Sequence, residues 1–98
     1  MAELVWSAEA QNWLREIFDY IAAENPAAAT AALEAIRAKA ELLSKFPELG
    51  YRYEASEGAD IRVLLYRHYR IVYRIESSAR IEVLGVFHSA MDMDRYLR

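Results

Sequence analysis

Apolar positions along the chain recur first every third or fourth residue and then every second one. Ala10, Trp13, Leu14, Ile17, Tyr20 and Ile21 follow helical spacing and draw one apolar stripe. Ser7 stands before that run as an N-cap, and Glu9 sits in the first turn, where the helix dipole favours a negative charge. Ala29, Ala32, Leu33, Ile36, Ala40 and Leu43 draw a second stripe. Asn25 caps its start with Pro26 at the first helical position, and Pro47 and Gly50 mark its end. The turn between the two runs is short, so the helices are expected to form an antiparallel hairpin. The alanines of the second let it lie close to its neighbour.

After Gly50 the period changes to two. "YRYEASEGAD" reads as a polar loop. Ile61, Val63 and Leu65 then alternate with Arg62, Leu64 and Tyr66. Tyr69, Ile71, Tyr73 and Ile75 alternate with Arg70, Val72 and Arg74. After the turn "ESSA", Ile81, Val83, Gly85 and Phe87 alternate with Glu82, Leu84, Val86 and His88. These predict three consecutive strands in an antiparallel meander. Glu3 to Trp6 predicts a short first strand. Ser89 with Asp92 suggests a capping box for a short last helix over "AMDMDRYLR". The expected fold is α+β: an N-terminal strand, a helical hairpin packed on one face of an antiparallel sheet, and a short C-terminal helix. The uncovered sheet face is expected to carry Arg62, Arg70 and Arg74.

Ninety-eight residues make one domain, taken as 1–98. A chain of this size buries ~65% of its unfolded surface. With 55% apolar and 28% charged residues it belongs with globular chains rather than disordered ones. It has no cysteine, which excludes disulfides and thiolate chemistry and suggests a cytosolic protein. The N-terminus "MAELVWSAEAQNW" lacks the pattern of a signal peptide, and no run is long enough to span a bilayer. No metal site and no glycine-rich phosphate loop is visible, and no cofactor is implied.

The net charge of −3 argues against a general nucleic-acid binder. Its distribution is uneven. Residues 1–50 hold four Lys/Arg and eight Asp/Glu, whereas residues 51–98 hold eight and seven, and every basic residue of the second half is arginine. A GC-rich coding bias accounts for this as well as function does. Functionally, arginine forks onto carboxylate or phosphate, so the strands could grip RNA, dock an acidic protein, or simply present a wet face. Tyr51, Tyr53, Tyr66, Tyr69 and Tyr73 are interleaved with these arginines, and Tyr with Arg is the pairing that dominates interface hot spots.

"WSAEAQNWLREIFDYIAAENPAAA", "LLSKFPELGYR", "IRVLLYRHYRIVYRI" and "IEVLGVFHSAMD" together cover most of the chain. In order and in phrase they resemble the ParE/RelE superfamily of bacterial toxins from toxin–antitoxin operons, the plasmid stabilisation proteins, and within it the ParE branch. The resemblance implies a small cytosolic toxin neutralised by an antitoxin encoded beside it. RelE-like members cut messenger RNA on the ribosome. ParE-like members are described as poisons of DNA gyrase. The shared fold does not choose between them.

A ribonuclease needs a base, an acid and cations on the phosphate. Arg70 falls at the arginine of the family's "YR[IL]VY" phrase, and His88 could serve as acid or base. If the chain were a nuclease, these two would be its catalytic residues. The RelE-like lysines are missing from "DIRVLLY", which offers Arg62 alone. Met91 stands where an arginine is frequent, and Asp92 and Asp94 follow, which would repel a phosphate backbone. The resemblance therefore implies a protein-binding toxin rather than an enzyme. A ParD-like antitoxin is expected to lay an extended tail on the arginine–tyrosine face (Arg62, Arg70, Arg74, Tyr53, Tyr66, Tyr73) and in the groove beside the helical hairpin. Met91, Arg95, Tyr96 and Arg98 are expected to meet the cellular target, with gyrase as its implied identity. The alternatives are a ribosome-dependent endoribonuclease and a non-toxic relative that only binds its antitoxin.

Overall fold

A computed structural model describes residues 1–54 and 58–88. A short strand β1 (Glu3–Trp6) leads into helix α1 (Ala8–Ala22) and helix α2 (Pro26–Glu41). Strands β2 (Tyr51–Arg52), β3 (Asp60–Tyr66), β4 (Tyr69–Ser77) and β5 (Arg80–His88) follow. The expected last helix lies outside the described residues. Among the described residues, no helix is long and apolar enough to cross a membrane.

Both helix starts form as their sequences dictate. The Ser7 hydroxyl accepts the Ala10 N–H at 3.0 Å, and the Asn25 side chain accepts the Ala28 N–H at 3.1 Å. Each satisfies a donor that the first helical turn leaves orphaned. The second stripe does not stay α-helical to Pro47. It ends at Glu41 and tightens into a 3₁₀ turn, Leu42–Ser44, that still buries Leu43. A second turn, Pro47–Leu49, leads to the sheet.

The sheet has five strands in the order β1-β5-β4-β3-β2. It is mixed, because β1 runs parallel to β5. The segment read as a polar loop begins with strand β2, which pairs Tyr51 with Val63 and Arg52 with Arg62. Two residues are too few to display a period of two, so its sequence gives no strand signal.

The helical hairpin covers one sheet face. Leu14, Ile36 and Leu43 pack there with Leu64, Ile71, Tyr73, Ile81, Val83 and Val86. Val63, Val72 and Phe87 form a second buried cluster with Trp13, Tyr53, Ile61 and Leu84. Their positions on the pleat put the three strand residues on the opposite face.

Two features of register decide which side chains share a face. The β3–β4 hairpin has a two-residue connection and closes on Tyr66↔Tyr69. An even-numbered residue of β3 therefore lies across from an odd-numbered residue of β4. Arg62 pairs with Tyr73 and shares its face, the helix side. The expectation that Arg62, Arg70 and Arg74 line one face is corrected on this point: Arg62 lies on the other side from the two that follow. The second feature is a β-bulge. Val72 pairs with Gly85 but Tyr73 pairs with Val83, which leaves Leu84 as the extra residue. Strict alternation along β5 breaks there. Ile81 and Val83 face the helices before the bulge, and Val86 and His88 face them after it, while Phe87 turns to the opposite face.

Candidate functional site

β1 pairs only with Arg80–Val83, so the rest of β5 runs past its end. Helix α1 starts at that point. The Ser7 N–H donates to the Val83 carbonyl at 3.0 Å, and the helix then rises beside residues 84–88. Its innermost residues, Ala10 and Leu14, are buried. Trp13, Ile17, Tyr20 and Ile21 extend the apolar arc beyond what the sheet covers. They line a cleft of ≈ 470 Å³ with Glu16, and with Tyr69, Val86 and His88 on the sheet wall.

Aromatic rings shape this cleft. Trp13 meets Phe87 edge-on, with centroids 4.9 Å apart. Gly85 makes room for that contact: a Cβ there would come within 2.8 Å of the Phe87 ring and 3.4 Å of Trp13. Tyr69 meets His88 edge-on at 6.0 Å, and His68 stacks on His88 at 6.1 Å. Tyr20 is 85% exposed on the opposite wall. An exposed apolar cleft of this size with a few polar groups is the usual form of a recognition surface.

The predicted arginine–tyrosine face divides in three. Arg62 is largely buried and occupied. Its Nε donates to Asp60 Oδ1 at 3.0 Å and its Nη1 to the Gly50 carbonyl at 3.2 Å. Tyr73 is fully buried, so it presents no surface to a partner. Its hydroxyl donates to the Pro47 carbonyl at 2.6 Å and accepts the Gly50 N–H at 2.9 Å. This tyrosine pins the end of the helical segment to the sheet, and burial pushes its pKa above the ordinary 10.0. The exposed arginine–tyrosine face expected from the sequence is corrected for these two: Arg62 is engaged on the helix side and Tyr73 lies in the core.

Arg74 belongs to an ion-pair network on the face away from the helices. It donates to Glu76 at 2.7 Å and to Glu82 at 3.1 Å. Arg80 joins Glu76 at 2.8 Å and Glu3 at 3.3 Å, which ties β4, β5 and β1 together. The hydrogen bond from Arg74, helped by Arg80, holds the Glu76 carboxyl below its ordinary 4.5. Arg70 has no hydrogen bond or ion pair among the described residues. It sits on that same face, across from Leu65 on one side and Phe87 on the other. Tyr66 stays half-buried, with the Arg67 guanidinium 5.7 Å from its ring. Tyr53 is half-buried against the second cluster. Met91, Arg95, Tyr96 and Arg98 lie outside the described residues.

The two nuclease candidates do not converge. His88 pairs with Tyr69, and Arg70 pairs with Phe87 one residue away on each strand. Consecutive residues point to opposite faces, so His88 enters the cleft while Arg70 leaves on the far side. Without the bulge at Leu84, His88 would share the face of Glu82 and Arg74. Among the described residues, no group of three His, Cys, Asp or Glu is placed to hold a metal ion.

Sequence reasoning named the groove beside the hairpin in general terms but missed Glu16, Ile17, Tyr20, Ile21 and Tyr69 as its lining. A signal existed. The α1 stripe is wider than the single seam that a sheet face can bury.

In the comparison with known families, a model described as ParE toxin of type II toxin-antitoxin system, parDE, fits residues 4–93. Among solved structures, the chain is similar to one from the chromosomal ParDE TA system of P. aeruginosa. The two share 23% sequence identity at a TM-score of 0.74, over 90% of this chain and 96% of that chain. At that identity the likeness bears on the fold. No curated protein matches in sequence.

Proposed function

The chain belongs to the ParE toxin family of type II toxin–antitoxin systems, and from that premise we propose that it is a toxin held inactive by a ParD-like antitoxin seated in the α1–β5 cleft. The observation that carries this reading is the cleft itself. Trp13, Ile17, Tyr20 and Ile21 are displayed along one helix beside a sheet end that nothing among the described residues covers. An amphipathic segment presenting residues at i, i+3, i+4 and i+7 would fill such a groove. A tail that folds as it binds spends several kcal/mol on ordering, so a wide apolar contact is required for tight neutralisation.

We infer further that the toxin acts by binding, as a gyrase-type inhibitor of replication, and carries no chemistry of its own. The separation of Arg70 and His88 onto opposite sheet faces supports this over a ribosome-dependent nuclease.

Ile17→Glu tests the seat. Ile17 lines the cleft half-buried, with its inner side against the core cluster, and a charge there both removes apolar contact and must be desolvated on binding. The expected outcome is a chain that remains toxic, but whose antitoxin affinity, measured by calorimetry, falls about a hundredfold, equivalent to ~3 kcal/mol. Unchanged affinity would place the antitoxin elsewhere.

A further inference from the structure

The α1–β5 cleft holds one acidic side chain that has no partner among the described residues. Glu16 lies on its helix wall and makes no hydrogen bond or ion pair among the described residues. Glu16 is exposed, and the cleft it helps to line is otherwise walled by the rings of Trp13, Tyr20, Tyr69 and His88. The nearest arginine along the helix does not neutralise it. Arg15 lines a separate depression toward α2, together with Arg37. Along α1, Glu9, Glu16 and Asp19 face that single basic residue, so the helix is acidic overall. A carboxylate among aromatic faces attracts a cation twice, by charge and by the ring quadrupoles.

We propose that this cleft is a seat for a basic side chain, an arginine or lysine of the amphipathic segment that occupies it, with Glu16 as the counter-ion and Trp13, Tyr20 and Tyr69 as walls. The inference rests on the reading of the cleft as the antitoxin seat and deepens it. It also gives the cleft a polarity opposite to that of the arginine face expected to meet the antitoxin. The arginines that were to greet an acidic tail are largely engaged: Arg62 by Asp60, and Arg74 by Glu76 and Glu82. The charge left open in the cleft is negative. The docked segment therefore carries apolar residues toward Ile17 and Ile21 and a cation toward Glu16.

Two measurements separate this site from the reading beneath it. In the first, N-acetyl-arginine amide is titrated into the full chain while the Trp13 indole N–H resonance is followed, assigned with Trp6→Phe. A saturable shift is expected, at least about fivefold weaker in Glu16→Gln, and absent with N-acetyl-glutamine amide. An equal response in Glu16→Gln, or none in the native chain, overturns the proposal. In the second, Glu16→Lys should lower affinity for the cognate antitoxin about tenfold or more, and a Lys→Glu or Arg→Glu change at one antitoxin position should recover it. Glu16→Lys binding as tightly as the native chain overturns the cation seat and leaves the toxin–antitoxin reading standing. A native chain that takes the arginine probe through Glu16 but binds no antitoxin overturns that reading and leaves the site.

Discussion

Removing one oxygen atom, in Tyr73→Phe, should destabilise this domain several times more than a typical single surface change. The hydroxyl accepts the Gly50 N–H at 2.9 Å and donates to the Pro47 carbonyl at 2.6 Å. Gly50 is buried, and its backbone packs against the ring edge itself: a Cβ there would lie 2.9 Å from Tyr73 Cε1. In the phenylalanine variant the Gly50 N–H has no room to find another partner. A buried donor left without an acceptor costs about 1–3 kcal/mol, and loss of the Pro47 bond adds roughly one more. The sum, about 2–4 kcal/mol, is a large part of the ~5–15 kcal/mol that holds a domain of this size. Urea unfolding should show a lower midpoint at unchanged slope, and thermal unfolding a Tm lower by about 10–20 °C. The buried hydroxyl also predicts an alkaline signature. Its folded pKa is raised above 10.0 mainly by desolvation, so it stays protonated in the fold at a pH where the unfolded chain ionises. That contribution is complete below pH 10.0 and is lost as the pH rises beyond it; Tyr73→Phe should flatten this limb. A variant within about 0.5 kcal/mol of the native chain would refute the pinning role. Because Tyr73 is internal, antitoxin affinity measured well below the melting range should not change.

Three other outcomes follow from the same geometry. Gly50→Ala places a Cβ 2.7 Å from the Val63 carbonyl oxygen, a backbone atom that cannot step aside, and should cost about 1–3 kcal/mol in urea unfolding; a neutral effect would mean that β2 can lift off the sheet freely. Glu76 has its carboxyl pKa depressed below 4.5, chiefly by Arg74, so its contribution is present above that pH and lost as the pH falls through the folded value. Glu76→Gln should therefore lessen the acid dependence of stability, and an unchanged slope below pH 4.5 would contradict the network. Arg70→Ala and His88→Ala, singly or together, should leave killing intact in a growth assay of induced cells; abolished killing with an intact fold would revive the nuclease reading.

How far the chain could be read from its sequence depended on how long each pattern ran. Fifteen residues of α1 and sixteen of α2 repeat their apolar spacing often enough to be seen, and the Ser7 and Asn25 caps fix where they begin. The three long strands show in the same way. Tyr51–Arg52 did not, since a two-residue strand has no period and is held only by pairing with β3. Nor did the parallel partnership of β1 with β5, a long-range contact that no local pattern encodes. The candidate site suffered most from register. Alternation says that neighbours point apart, but not which residues of two strands point together. The two-residue Arg67-His68 turn sets that for Arg62, and the Leu84 bulge resets it for Val86, Phe87 and His88. The arginine–tyrosine face that alternation alone predicts thus loses Arg62 to the helix side and Tyr73 to the core. The apolar cleft was half legible, in a helix stripe too wide for one seam.

The central claim, a toxin that blocks replication by binding, is tested most directly by inducing this chain alone in bacteria and pulse-labelling DNA and protein synthesis over the same time course. The account predicts that DNA synthesis stops first while translation continues. Arrest of translation ahead of DNA synthesis would contradict it, and would send the search for chemistry back to Arg70 and His88.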